Sequence, residues 1–339
     1  MSTRRPSSSV LPPVIARRVF VALALFGILA LEASAVAGVI LKRPIPTNGI
    51  DRLVLHNRVG MIRITPATTI TAPAVKVRVR CRHGSSGFSL FGLFRWGARS
   101  CTQVPHGLKV VAIRQGSSLH LGLVNADGVT PRHVRADWTL VLPLRFEARI
   151  HDGVGNVQIT GLRGGIVLHV GVGAVTLKRD RTRLLKVHDG VGTIDVDHFE
   201  LPAVAGLVHL HSGVGNVVLR LAPVSFLPHG RIDVQTGVGH IAVQGLPCRL
   251  ARLRARAGVG HVKTSVLPAG FHLPFAYGPG HAPPTGFHLH GGMVGETLSG
   301  GGGPGLDVRL ASGTGSISIG FNCTKREAPA TIAPHASRH

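Results

Sequence analysis

The sequence predicts an all-β protein, a β-solenoid (β-helix) wound from Gly-x-Gly repeats of roughly 20 residues, preceded by an N-terminal signal or membrane-anchor helix. Three observations carry this expectation. A Gly-x-Gly tripeptide recurs along the chain, aliphatic residues hold fixed positions around every copy, and the chain begins with a basic stretch followed by an uninterrupted apolar run.

The tripeptide marks structural corners at Gly153/Gly155, Gly171/Gly173, Gly190/Gly192, Gly213/Gly215, Gly237/Gly239 and Gly258/Gly260, spaced 18, 19, 23, 24 and 21 residues apart. A seventh copy, Gly313/Gly315, follows a long interruption, and a degenerate copy from Leu55 to Ile64 has Arg58 in the first glycine slot. Three residues before the first glycine stand Leu55, Ile150, Leu168, Val187, Leu210, Val234, Ala255 and Leu310. Four after it stand Ile62, Val157, Val175, Ile194, Val217, Ile241, Val262 and Ile317, and six after it a further aliphatic in every copy but the one with Thr264. Positions four and six share a face, the period of a strand. The alternation breaks across the glycines, which suggests corners with unusual backbone angles. A single unit cannot bury its aliphatic face, whereas stacked units form continuous rows. A β-sandwich would not repeat one tripeptide at one place in every unit. A dinucleotide fingerprint is excluded because Gly155 and Gly173 lead into strands without the third glycine, and no copy carries the Gly-Lys-Ser/Thr of a P-loop.

The chain divides into a basic segment 1–18, an apolar segment 19–41, an irregular β region 50–133, the repeat region 134–322 with an insertion at 270–305, and a tail 323–339 that reads as disordered. The insertion, with five Pro and the run Gly300 to Gly303, reads as a long flexible excursion. Arg4, Arg5, Arg17 and Arg18 precede the apolar run Val19 to Leu31, and Ala33-Ser34-Ala35-Val36-Ala37 follows. This describes a secretory signal cleaved after Ala35 or Ala37, giving a periplasmic or secreted protein. The alternative continues the helix through Val39-Ile40-Leu41, long enough to anchor the chain in the inner membrane with its N-terminus in the cytoplasm. Both place residues from about 45 onward outside the cytoplasm, where disulfides are permitted. Cys81 and Cys101 would pair to close the loop between them, and Cys248 and Cys323 are a second candidate pair.

Composition bounds the function. Hydrophobic residues at 44% exclude a wholly disordered chain. The net charge of +23 suggests nucleic acid, but export and an aromatic content of 4% argue against such a partner. The Arg-rich segments Lys178 to Arg183 and Arg249 to Arg256 fall on turns or outward faces, either as a solvated basic surface or as contacts to anionic envelope polysaccharide or lipid. With 15 acids and pH-indifferent aliphatic rows, the exported part also reads as suited to an acidic habitat, a surface basic enough to grip polymer at neutral pH being the other reading. No acid/base pair and no nucleophile motif is present, so the expectation is a non-enzymatic protein without a cofactor.

One row stands out. His151, His169, His188 and His211 lie two residues before the first glycine of four successive repeats, with His56 at that position in the early copy and Gln235 and Arg256 in later ones. Stacking would set them about 4.8 Å apart on an outward face. Neighbouring imidazoles, with Asp152 and Asp189 one residue on, are candidate metal ligands; a plain polar surface row is the other reading. A histidine-row metal protein or enzyme, and a regulatory or sensor partner of a membrane system, are therefore the alternative functions. The oligomeric state is not legible.

From Asp51 to about Asn322 the chain resembles the bacterial putative-adhesin domain family of unknown function. The resemblance rests on Leu53-Val54-Leu55, Val59-Gly60-Met61-Ile62-Arg63-Ile64, the run Trp138 to Pro143, and the Gly-x-Gly-x-aliphatic-x-aliphatic units that follow. It implies an exported, often membrane-tethered β-helical envelope protein with no catalytic motif to carry over. The chain departs from the family in its basic charge and in the 270–305 insertion.

Overall fold

The computed structural model describes residues 39–68, 72–81, 107–131, 134–201, 206–223, 229–247, 250–264, 290–292, 295–300 and 305–322. These residues are all-β, with no helix among them, arranged in an 11-stranded and a 12-stranded sheet that are mostly parallel. Neither sheet closes into a barrel.

Each repeat contributes one strand to each sheet, joined at its glycine corner. In the Gly153 repeat, Glu147–Val154 enters the larger sheet and Val157–Thr160 the smaller. The next repeat lies directly beside it, with Ile166–Val172 on Glu147–Val154 and Val175–Lys178 on Val157–Thr160, both parallel. Hydrogen bonding continues around the corner itself: Gly155 N donates to Val172 O at 2.9 Å and Val157 N to Ala174 O at 2.9 Å. The corner amides of Gly173, Gly192, Gly215, Gly239 and Gly315 are satisfied by a neighbouring layer in the same way, as buried backbone requires.

The aliphatic rows face inward. Ile150, Leu168, Val187, Leu210 and Val234 before the corner, and Val157, Val175, Ile194, Val217 and Ile241 after it, are fully buried in one contiguous core shared by both sheets. A further inward row lies five residues before the first glycine, where Leu53, Ile166, Leu185, Val208 and Ile232 are buried.

The layers do not follow sequence order. The degenerate first repeat, Arg52–Val59 and Ile62–Pro66, packs directly under the Gly153 repeat although about eighty residues separate them. At the other end Leu306–Thr314 lies between Gly230–Val238 and Arg252–Val259, so the last repeat in sequence is inserted between the Gly237 and Gly258 repeats.

The last two corners depart from sequence order in the same way. Sequence order would stack Gly260 on Gly239 and Gly315 on Gly260. Instead Gly315 stacks on Gly239 and Gly260 on Gly315. A Cβ on Gly315 would stand 1.9 Å from Gly239 O, and one on Gly260 2.0 Å from Gly315 O. The hydrogen bonds agree, since Gly239 N donates to Thr314 O and Gly315 N to Val259 O, both at 2.8 Å. Both residues remain corners, with φ of 131° at Gly260 and 142° at Gly315. Burial explains the exchange. The displaced Gly258 repeat carries Ala255 where others have Val, Ile or Leu, and its post-corner strand, Val262–Thr264, is three residues long. The Gly313 repeat brings Leu310, Ile317 and Ile319, all buried, to the inner layer.

Among the described residues antiparallel strands finish both ends of the larger sheet and one end of the smaller, whose other end is the parallel strand Val262–Thr264. Lys109–Gln115 pairs antiparallel with Ser118–Val124, which lies beside Arg52–Val59, and Ala74–Cys81 joins Val39–Pro44 to Val134–Leu142. At the opposite end Gly295–Gly300 pairs antiparallel with Arg252–Val259 and with His290–Gly292. Such strands cover the outermost parallel ladder, which would otherwise expose a template for edge-to-edge association.

Two further expectations change here. Val39, Ile40 and Leu41 are in a strand paired with Val79, Arg78 and Val77, and Leu41 packs against the core, so an anchor helix does not run on through residue 41. No helix among the described residues is long and apolar enough to cross a membrane. Residues 1–38, with the apolar run 19–31 and the cleavage sites at Ala35 and Ala37, lie outside the described residues. The insertion is not wholly an excursion, because Gly295–Gly300 is held by the backbone of Arg252–Val259. The Cys81–Cys101 and Cys248–Cys323 pairings also lie outside what is described, as does the tail 323–339.

Candidate functional site

The outer face of the 12-stranded sheet carries the histidine row. Parallel register places His56, His151, His169, His188 and His211 side by side on successive strands, followed by Gln235, Ala311 and Arg256. Ring centroids are 4.7 Å apart for His56–His151, 4.8 Å for His151–His169, 6.1 Å for His169–His188 and 4.6 Å for His188–His211. Burial lowers the pKa of His151, His169 and His211, and the charges of neighbouring row members push in the same direction. Rings stacked within 3° to 14° of parallel aim their nitrogen lone pairs along parallel lines that do not meet at one metal ion. Nor do the carboxylates complete a ligand set. Asp152 and Asp189 lie on the opposite side of the strand, 3% and 0% exposed, and the described residues hold no group of three metal-ligating side chains.

Those two aspartates belong to an inner polar row immediately before the first glycine. Along the stack it reads Asn57, Asp152, Val170, Asp189, Ser212, Thr236, Ser312 and Ala257. The hydroxyls have one shared task, which is to satisfy a corner carbonyl in the preceding layer. Ser212 Oγ donates to Gly192 O at 3.4 Å, Thr236 Oγ1 to Gly215 O at 3.0 Å, and Ser312 Oγ to Gly239 O at 3.0 Å. Asp152 and Asp189 occupy the same position with groups that, when ionised, cannot donate. Asn57 Nδ2 donates to Asp152 Oδ1 at 2.9 Å, while Asp152 Oδ2 and both oxygens of Asp189 have no hydrogen-bond partner. Burial raises both carboxyls to about 6. Asp180, in the turn after Val175–Lys178, is raised by burial to about 7 although its Oδ1 accepts from Leu162 N at 2.6 Å.

Asn57 ties this row to the adjoining layer, since Trp138 Nε1 donates to its Oδ1 at 3.1 Å. Asn57→Ala would leave the buried Trp138 indole and the Asp152 carboxyl without their partner. The expected cost is about 2–3 kcal/mol, read by urea denaturation followed on Trp138 fluorescence. A cost below about 0.5 kcal/mol would show that neither bond matters.

The corner glycines are required chiefly by close approach. A Cβ on Gly155, Gly173, Gly192 or Gly215 would stand within 1.6–1.7 Å of the carbonyl oxygen of the second glycine in the preceding layer. The first glycines, Gly153, Gly171, Gly190, Gly213, Gly237, Gly258 and Gly313, are less crowded, at 2.4–2.6 Å from the nearest backbone oxygen. At Gly173 the φ of 152° adds a backbone preference of its own. Between each of the first six pairs the corner valine points outward, so Val154, Val172, Val191, Val214, Val238 and Val259, each about half exposed, form a stripe along the molecule.

Among the sequence-predicted basic segments, Lys178, Arg179, Arg181 and Arg183 are exposed around the turn, with Arg181 Nη1 3.7 Å from Glu200 Oε2. Arg252, Arg254 and Arg256 are exposed on the outer face of the larger sheet. At the other end of that face a groove of about 720 Å³ is lined by His56, Arg58, Val111, Ile113 and His120.

No family model and no curated protein matches the chain. Among the solved structures that align with it are two bacterial proteins. One is described as a putative cell adhesion protein from Clostridium sporogenes, 14% identical with a TM-score of 0.33, the alignment covering 84% of this chain and 100% of that one. The other is a putative adhesin from Bacteroides fragilis, 10% identical with a TM-score of 0.23, covering 84% and 97%. Neither likeness bears on what this chain binds.

Proposed function

We propose that the chain is a non-enzymatic, adhesin-like β-solenoid scaffold on the extracytoplasmic side of a cell envelope, whose outer face binds anionic envelope polymers. The observation that carries this reading is how the charge is divided between interior and surface. Of the few acids, Asp152, Asp180, Asp189 and Asp233 are buried, while Glu147, Asp137 and Asp195 sit against Arg52, Arg135 and Arg220 at 3.0, 3.0 and 2.9 Å. With 38 Lys and Arg against 15 Asp and Glu, several of those acids buried or paired, the exposed faces are basic. A rigid stack of flat ladders then presents that charge at the regular spacing of its strands, about 4.8 Å. This suits a repeating polyanion better than a single small molecule.

Full-length protein is expected to sediment with an insoluble acidic polysaccharide and not with a neutral one of the same backbone, with binding that weakens as salt is raised. Equal retention on both matrices, or binding indifferent to salt, would sink the reading.

A further inference from the structure

We propose, resting on the polymer-binding reading above, that Arg231, Arg254, Arg256 and Arg309 form a defined recess for a carboxylate-bearing sugar unit of an acidic glycan. The recess measures about 490 Å³ and spans the last three layers of the larger sheet. It exists because the layers are out of sequence order. With Leu306–Thr314 inserted between Gly230–Val238 and Arg252–Val259, one outward row reads Asp233, Arg309, Arg254 and the next reads Gln235, Ala311, Arg256. Ala311 stops at Cβ between two long side chains, and that step leaves the hollow.

The chemistry of the walls selects the ligand. Arg254 and Arg256 are exposed on the outermost of the three layers, and Arg309 Nη2 donates to Asp307 Oδ2 at 3.4 Å. The Nε atoms of Arg231 and Arg309 are buried and make no hydrogen bond. Guanidinium groups on adjacent strands are suited to fork-to-fork contacts with a planar carboxylate. Asp233 gives the opposite signal on the same wall. It is 7% exposed, accepts from Arg231 Nη2 at 2.8 Å and from Gln235 Nε2 at 3.0 Å, and retains lone pairs for a further donor. A fixed carboxylate repels a bare dianion such as a phosphate monoester but accepts from a hydroxyl. A ligand that offers a carboxylate to the arginines and a hydroxyl to Asp233 satisfies both, and an acidic sugar carries the two on one ring. A bilayer surface cannot enter a concave recess on a flat sheet.

Calorimetry of the full-length protein with oligogalacturonate, sulfated dextran, neutral dextran and phosphatidylglycerol vesicles tests the assignment. Arg256→Gln/Arg309→Gln is expected to weaken oligogalacturonate binding by about tenfold or more, while Arg179→Gln/Arg183→Gln, which removes the same charge from an exposed turn, leaves it nearly unchanged. Ala311→Met fills the hollow without altering charge and is expected to weaken binding as well, with Trp138 fluorescence confirming the fold. If the turn variant loses as much as the recess variant, or if Ala311→Met binds normally, the recess is not the site although the polymer-binding reading survives. Preference for sulfated dextran or vesicles over oligogalacturonate overturns the carboxylate assignment. Binding to none of the four would remove the polymer-binding reading as well.

Discussion

Gly192→Ala is expected to destabilise the protein by more than about 4 kcal/mol, enough to prevent accumulation of folded chain. The added methyl would stand 1.6 Å from Gly173 O and 2.7 Å from Asp189 Oδ2, and the nearer obstacle is backbone that cannot rotate away. Relief requires the two layers to separate at the corner, which breaks the bonds from Gly173 N to Val191 O and from Val175 N to Thr193 O, both 2.9 Å. The φ of Gly192 is not in the left-handed region, so crowding acts alone there. Gly116 supplies the converse case, with a φ of 60° and open space around its Cα. Gly116→Ala is expected to cost about 1–2 kcal/mol. Gly122 has neither constraint, and Gly122→Ala is expected within about 1 kcal/mol of neutral. Urea midpoints of the three variants decide the matter. A mild Gly192→Ala would mean that the layers can part at a corner without loss.

The same comparison shows where the sequence is informative. Its alternation places Ile150, Val157 and their row-mates inside because a strand has a period of two and the glycine pair fixes the phase in every copy. The row at Leu53, Ile166 and Leu185 shares that phase, but nothing in the tripeptide marks how far upstream each strand runs. The glycines read as points of unusual dihedral angle, whereas at Gly155 and Gly192 the requirement is contact with a neighbouring layer, which no single repeat reveals. Layer order is illegible for a related reason. Adjacent repeats are assumed to be neighbours, and a long connection leaves no periodic trace of where it returns. Gly260 and Gly315 each follow the repeat pattern, yet their exchanged places in the stack follow from how well each repeat fills the interior. The arginine recess depends wholly on that order, so its residues, drawn from three separated stretches, could not be grouped beforehand. The parity of Asp152 and Asp189 already points them inward, yet a carboxylate usually marks surface. Only the packed structure shows them buried without full pairing.

Those aspartates predict that acid stabilises the fold. Asp152 and Asp189 are raised from 3.8 to about 6 and Asp180 to about 7, each chiefly by burial. A carboxyl whose pKa is higher in the folded than in the unfolded state binds its proton more tightly when folded. Its contribution is therefore complete below pH 3.8 and is lost as pH rises through 6 to 7. Protonation also changes what the group does. A neutral Asp189 becomes a donor at the position from which Ser212, Thr236 and Ser312 hold corner carbonyls. The histidines oppose this. His151, His169 and His211 are lowered, so their contribution is present above the ordinary imidazole value of 6.5 and is lost as pH falls below it. Burial is the larger cause of that lowering and repulsion along the row the smaller. Salt screens the repulsion, and the aspartates are more deeply buried than the rings, so their effect is the larger. In moderate salt the midpoint of thermal unfolding is expected to rise by several degrees from about pH 8 to about pH 5. Asp189→Ser should raise the midpoint at pH 8 and flatten the slope, because a hydroxyl donates at every pH. A midpoint that falls steadily on acidification, or a slope that Asp189→Ser leaves untouched, would show that surface repulsion outweighs the interior. A rise would extend the acid-habitat expectation from tolerance to preference, with interior carboxyls that must be protonated for the corners to be fully bonded.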